Sequence, residues 1–527
     1  MNRVHPKRGE FKELAARGHV SPVCREIPYR RPALCYGRLR RRIGDSRSFL
    51  LESIKGPFNI ARYSYIGFDP YIEVKAKKPY LEVSASFGRS GGATSGVIGS
   101  ATFGRGISTR KPFPRLRELV SAYPQSPRPD IPPFQGGAVG LLSYDFVRYF
   151  EAVPSGAVDD LGIPDAHFFM CDRLVSFDHK EGRAWAVCCP GARESRLGFN
   201  EIQVDWGVEY DKAVEAIAEA QMLISEGGIL ARGPSPAPHD FASPRRPAVE
   251  IVHGITKEKY MGMVERTLQY IRAGDIFQAN LSQRLSADVG GRDPFDVYLK
   301  LSEINPSPFA CYVDFGDYVI AGSSPERLVR LKPSADGGKS VETRPIAGTR
   351  PRGDSSDRDA ILRAELLLNE KERAEHIMLI DLERNDLGRV CDYGSVSVDE
   401  LMITEDYSHV MHIVSNVRGI LNPRMDAFDV LKAVFPGGTI TGVPKVRCME
   451  IIDELEPVAR GPYTGSIGYV GFGGDMDFNI VIRSFVIKDG TAYVQAGAGI
   501  VADSDPEREY FETLKKAEAL LKTLKTA

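Results

Sequence analysis

Two pairs of glutamates are the first residues in this sequence whose spacing suggests chemistry. Glu372 and Glu375 stand three apart in KERAEHIMLIDLERND, and Glu509 and Glu512 stand three apart in DSDPEREYFET. On a helix that spacing puts both carboxylates of a pair on one face. Two such pairs brought together repel unless a cation lies between them, and an all-oxygen donor set suits Mg²⁺. A single acidic pair on a helix is ordinarily a solvated face. The first pair departs from that pattern, because the apolar run 377–380 follows it and then Asp381 and Arg384-Asn385-Asp386. A polar face that dense against an apolar one belongs to a helix lining a cleft.

Three glycine-rich turns supply groups for an anion. They are RPIAGTRPRG at 344–353, PGGTITGVPK at 436–445 and Gly497-Ala498-Gly499. Glycine lets backbone amides approach a ligand closely, and amides at turns and helix starts bind anions. Each turn alone reads first as a structural turn. Arg483 follows Ile480-Val481-Ile482, and an arginine flanked by core residues needs an anionic partner. His412 lies inside the apolar run 410–414, where a hydrogen-bonded core histidine is the plain reading. No Walker or Rossmann spacing occurs, no G-x-S-x-G, and no cysteine stands in an amidotransferase setting. The residues alone therefore describe a cleft of divalent metal, arginine and glycine amides, built for a small polyanion that is not a nucleotide.

These groups must be positioned by a chain of 527 residues, 43% hydrophobic and 26% charged, with a formal charge of −2. That composition supports a large core and gives no general attraction to nucleic acid or to an anionic membrane. No apolar run is long enough to span a bilayer, and the N-terminus lacks the apolar segment of a signal peptide. The eight cysteines form no C-x-x-C pair, which suits buried thiols in a reducing cytoplasm. A Gly/Ser-rich stretch at 84–106 reads as a loop, and a proline-rich stretch at 231–248 as a linker. They divide the chain into an N-terminal domain, 1–230, and a C-terminal catalytic domain, 249–527. Periodicity predicts helices over 210–226, 260–273, 358–382, 427–434 and 506–524. It predicts strands over 71–74, 138–142, 174–177, 309–315, 318–322 and 328–331, and a meander over 467–472, 479–487 and 492–496. Hairpins interleaved with long helices make the fold α+β, with antiparallel sheets covered by helices.

Several long motifs then resemble one family. MLIDLERND, PIAGTRPRG, FPGGTITGVPKVRCMEIIDELEP, GSIGY and AGAGIVADSDPEREYFET, with SFLLES, ARYSYIGFDP and GGAVGLLSYD in the first half, are similar to the chorismate-utilising enzymes. The likeness is to the synthase subunits of anthranilate synthase and aminodeoxychorismate synthase. It implies the anthranilate synthase component I-like fold, two packed antiparallel sheets flanked by helices. It also implies that Glu375 and Glu512 hold Mg²⁺, supported by Glu509 and Glu372. Gly348, Thr349, Tyr463, Arg483, Gly497, Ala498 and Gly499 would contact chorismate. His412 and Thr439 would lie near the departing hydroxyl, with Glu372 as general acid. Gln278 stands where the water-using isochorismate and salicylate synthases carry a lysine base. This leaves ammonia as the nucleophile, drawn from a separate glutaminase subunit.

Within the family, GDIFQANLSQ, NPSPFACYVDFGD, SSPERLV, RGPYTGSIGY and DFNIVIR resemble the aminodeoxychorismate branch, whose product serves para-aminobenzoate and folate synthesis. Ala347 and the opening FKELAARGHVSPVCREI resemble anthranilate synthase instead. With Ala347 in place of a lysine, the resemblance implies direct attack by ammonia. Lys445, beside the Gly437-Gly438-Thr439 turn, is the first suspect should the ring become attached to the protein. Ser53, Pro308, Phe309 and Ala310 match a tryptophan-like regulatory pocket in which Phe309, Ala310 and Asn479 depart from the family residues, so weak or absent tryptophan inhibition is expected. A non-catalytic paralogue binding chorismate or an amino acid is the remaining alternative. The presence of all four glutamates, His412, Tyr463 and Arg483 argues against it.

Overall fold

Runs of alternating Val, Ile, Tyr and Phe build antiparallel ladders. In a computed structural model they form two sheets, of 13 and 11 strands among the described residues. Those residues are 3–44, 47–78, 80–85, 112–195, 204–225, 249–334, 337–406 and 410–527. The expected linker, 231–248, and the expected loop from residue 86 onward lie outside them.

Both sheets draw strands from either side of the 231–248 stretch. In the larger sheet Phe309–Asp314 pairs with Ser48–Glu52, placing Ala310 opposite Glu52. In the smaller sheet Ser466–Gly471 pairs with Gly137–Leu142, placing Ser466 opposite Leu142. The division into 1–230 and 249–527 thus describes order along the chain, while the sheets themselves are shared.

The chain passes from one sheet to the other at several places, and two of the short crossings lie after residue 300. Val319–Ser324 belongs to the larger sheet and Arg327–Pro333 to the smaller, so Pro325 and Glu326 lie in the crossing. Met476–Asn479 belongs to the smaller sheet and Ser484–Lys488 to the larger, so 480–483 cross in the opposite sense. The strand expected over 479–487 is therefore two strands in two sheets. Its break ends at Arg483, whose φ of 54° ends extended geometry. The crossings are tied together: Ile480 N donates to Glu326 O at 3.0 Å, and Ser324 Oγ donates to Ile480 O at 2.6 Å.

The helix expected over 358–382 also divides, into Ser356–Leu368 and Glu370–Gly388. Asn369 is extended and its side-chain oxygen accepts from Glu372 N at 3.0 Å, so it caps a new helix instead of continuing the old one. Glu372 and Glu375 consequently begin a helix rather than lie in the middle of one. The other helices follow expectation: Trp206–Ile224, Lys257–Ala273, Ala427–Val434 and Pro506–Thr526. Gly274 closes the second of these in the left-handed region at φ 81°. Tyr260 and Tyr510 of two helices pack with Leu281 and Ile500 of the sheet. Each such buried side chain contributes roughly 1.5–3 kcal/mol, and together they fix the helix that carries Glu509 and Glu512.

Removing the cap at Asn369 tests the division. Asn369→Ala should cost about 1 kcal/mol, read as a lower urea midpoint with an unchanged m-value. A midpoint equal to that of the parent chain would show that the two helices do not depend on this cap.

Candidate active site

The strand Ile346–Pro351 brings the first group of expected residues together. Gly348 takes φ 62°, and a methyl added there would meet Glu372 Oε2 at 2.6 Å, so this turn lies directly on the Glu372 carboxylate. His412, paired with Thr349 across the ladder, has Nδ1 3.0 Å from Gly348 O and 3.0 Å from Thr349 Oγ1. A carbonyl only accepts, so Nδ1 carries the proton and, in the neutral ring, Nε2 holds the lone pair. Burial holds this imidazole below the usual histidine range. Glu372 itself is engaged by Arg350 at 3.1 Å.

The second group lies on strands Gln278–Asp288 and Thr491–Ile500, where Asn280 faces Gly499 and Ser282 faces Gly497. A methyl at Gly497 would sit 2.5 Å from Asn280 Oδ1 and 3.0 Å from Tyr463 Oη. One at Gly499 would sit 2.7 Å from Gln278 Nε2. At both glycines the place of a methyl is taken by the neighbouring Asn280 and Gln278 amides. Ala498 turns its methyl into the core beside Leu281 and Ile500, leaving its backbone as its contribution.

Arg483 links the groups. Among the described residues its guanidinium makes no hydrogen bond or ion pair. Burial works against its charge, while Tyr463 and the Glu512 carboxylate favour it. A half-buried arginine without a hydrogen-bonded acceptor is ready for an incoming carboxylate. Glu512 also binds Lys516 at 2.8 Å, and Lys516 Nζ donates to Gly497 O at 3.0 Å.

Thr439 reveals a residue that motif reading did not assign. Its hydroxyl donates to Glu326 Oε1 at 2.7 Å. Burial pushes the Glu326 carboxyl up from 4.5 to about 7, with only Thr439 and Lys516 acting the other way. Burial also lifts the neighbouring Glu383 to about 8. The signal for Glu326 was its place after Pro325 between two apolar strands. Lys516 was hidden as an ordinary i,i+4 partner of Glu512.

Other expectations separate from this cluster. Lys445 Nζ is held by Asp386 at 2.5 Å and by Val434 O at 3.1 Å, so an ion pair opposes any role as a nucleophile. Ser53, Pro308, Phe309 and Ala310 gather at the seam of the larger sheet. There Ser53 Oγ donates to Pro308 O at 3.1 Å, and the Arg327 guanidinium lies 4.9 Å from the Phe309 ring centre. Among the described residues no three His, Cys, Asp or Glu side chains converge to hold a metal ion. The donors at hand are still carboxylate oxygens, and Mg²⁺ commonly takes only one or two of these, with water and substrate completing its shell.

Comparison with known proteins fits this geometry. The family model described as chorismate binding enzyme matches residues 71–522. The chain belongs to the chorismate-binding enzyme family. Anthranilate synthase component 1 of Acetivibrio thermocellus is 40% identical over 525 residues, covering 99% of each chain. Aminodeoxychorismate synthase component 1 of Bacillus subtilis is also 40% identical, over 506 residues, covering 95% of this chain and 97% of that one. The crystal structure of anthranilate synthase component I from Streptococcus pneumoniae superposes with a TM-score of 0.70 at 36% identity, covering 88% and 92%. No helix among the described residues is long and apolar enough to cross a membrane.

The unpartnered arginine gives a direct test. Arg483→Lys keeps the charge but loses the planar fork, so the KM for chorismate should rise about tenfold or more with the fold retained. An unchanged KM would make Arg483 a structural residue.

Proposed function

We propose that this chain is a synthase subunit that aminates chorismate with ammonia from a separate glutaminase, giving 4-amino-4-deoxychorismate. The observation that carries amination is the neutral amide of Gln278, which with Asn280 faces the glycine-lined strand where a lysine base would serve water. The "component 1" in the names of the relatives supports a second subunit.

The geometry supports the following roles. Arg483 binds a substrate carboxylate, and the 497–499 backbone and Tyr463 bound the ring. Mg²⁺, when bound, would neutralise the ring carboxylate, with Glu375 and Glu512 as its protein ligands and Glu509 behind them. We assign the general acid to Glu326 rather than Glu372. Arg350 engages Glu372 as a carboxylate, whereas burial keeps Glu326 protonated up to about pH 7. The nitrogen lone pair forms the C–N bond at the ring carbon that bears the hydroxyl as the C–O bond to that hydroxyl breaks, so the ring double bonds keep their places. The departing hydroxyl takes the Glu326 proton and leaves as water. The ammonium adduct returns a proton to the Glu326 carboxylate, so chorismate and ammonia give the amino product and water. Ala347, opposite Ile413 on its ladder, offers no amine for a covalent route.

The same alanine favours the second reading, anthranilate synthase component 1, in which pyruvate is also lost. One assay separates the two. Chorismate, Mg²⁺ and ammonium should give a product that yields para-aminobenzoate only after a lyase is added, and removing Mg²⁺ with EDTA should abolish turnover. Fluorescent anthranilate appearing at once with pyruvate would establish the second reading instead.

A further inference from the structure

One buried cation that the mechanism does not use ties the cleft together. Arg460 is 3% exposed and follows the helix Lys445–Leu455. Its ion pair with Glu456 is two-pronged, Nε donating to Oε2 at 3.0 Å and Nη2 to Oε1 at 2.7 Å. A guanidinium carries five N–H groups, and the remaining three reach other segments of the chain. Nη1 donates to Ile440 O at 2.9 Å and to Thr464 Oγ1 at 3.3 Å, and Nη2 donates to Asn280 O at 2.6 Å. Every donor is therefore engaged. The guanidinium carbon also lies 4.8 Å from the Tyr144 ring centre and 5.7 Å from that of Tyr463.

Each segment so held carries a part of the site. Ile440 ends the turn Gly438–Ile440, whose Thr439 hydroxyl donates to Glu326 Oε1 at 2.7 Å. Thr464 follows Tyr463 and takes φ 59°. Its backbone N donates to Val481 O at 2.8 Å, two residues before Arg483 in the crossing between the sheets. Asn280 faces Gly499 across the ladder, and its N donates to Thr441 O at 2.8 Å. Glu456 Oε1 also accepts from Ser282 N at 2.8 Å and Ser282 Oγ at 2.9 Å, which fixes the ion pair to that same strand. A buried ion pair is a weak source of stability, because desolvation offsets its attraction. What it supplies here is direction: the planar fork fixes three acceptors relative to one another.

We propose that Arg460 is a positioning residue that sets the spacing between the proton donor Glu326 and the anion-binding Arg483. It makes no hydrogen bond to either among the described residues. It acts on Glu326 through Ile440 and Thr439, and on Arg483 through Thr464 and Val481. The inference rests on the roles given to Glu326 and Arg483 above. A carboxylate and a leaving hydroxyl of one small, rigid ring must meet both residues at once. Substrate can still bind when their separation is wrong by about 1 Å, but the rate of reaction falls steeply.

Steady-state kinetics of the full chain with chorismate, Mg²⁺ and ammonium test the inference. Arg460→Lys keeps the charge beside Glu456 but offers three donors at most and no fork. Its kcat should fall about 30- to 100-fold, with the chorismate KM within about threefold of the parent. Besides Thr439, the groups that face Glu326 are Lys516 and Glu383. Loosening the turn withdraws the hydroxyl that favours the Glu326 carboxylate, so the alkaline limb of kcat/KM should move up by about one pH unit. A lowered melting temperature with parental kcat and an unmoved limb would make Arg460 a structural residue and overturn the inference. A raised KM at parental kcat would overturn it as well. If the parent chain shows no alkaline limb, Glu326 is not the donor, and the inference falls with that reading. Should Arg460→Lys fail to melt cooperatively, the double variant Glu456→Gln with Arg460→Gln leaves no unpaired charge at the pair and must show the same loss of kcat.

Discussion

Two short segments that cross between the sheets govern the rest of this structure. Residues 324–327 pass one way and 480–483 the other, bound by Ser324 Oγ to Ile480 O and by Ile480 N to Glu326 O. A strand that leaves one sheet for another must place a few residues with no ladder partner on either side. Among those residues here are Glu326 and Arg483. The remaining parts of the cleft are arranged around the crossing: the Gly348 turn with His412, the Thr439 turn, and the strand of Gly497 and Gly499.

The electrostatics of this arrangement are asymmetric. A buried glutamate relieves its desolvation cost by keeping its proton, and Glu326 does so up to about pH 7. A guanidinium cannot respond in that way, so Arg483 stays charged, and among the described residues it has no hydrogen-bonded acceptor. The site thus holds a proton to give and a cation to bind, which suits a substrate that is anionic at one end and loses a hydroxyl at the other. Lys516 lies between these functions. It neutralises part of the Glu512 charge, holds Gly497 O, and opposes the rise at Glu326.

Much of the fold was legible because periodicity carries it. The helices ending near Ala273 and Val434 and the hairpin around Gly316 stand where their patterns place them. What the pattern concealed were changes of partner. Ile480-Val481-Ile482 looks like strand from either side, and nothing in an apolar run shows that its two ends hydrogen-bond in different sheets. Asn369 sits inside a helical period, where its capping role depends on φ and ψ that composition does not fix. At the site, residues marked by type or glycine spacing were readable: Arg483, His412, the Gly348 turn and Gly497–Gly499. Glu326, Arg460 and Lys516 were not, because their importance lies in burial or in their partners, which only the folded chain reveals.

The account stands most directly on Glu326 as proton donor, and the pH dependence of kcat/KM for chorismate measures it. The concentration of unprotonated ammonia must be held constant across the series. A carboxyl raised to about 7 and active when protonated gives a rate that is flat below that pH and falls tenfold per unit above it. In Glu326→Gln, turnover should drop by a factor of roughly 10² or more, and this limb should vanish from what remains. A Glu326→Gln enzyme with near-parental activity and the same alkaline limb would contradict the account.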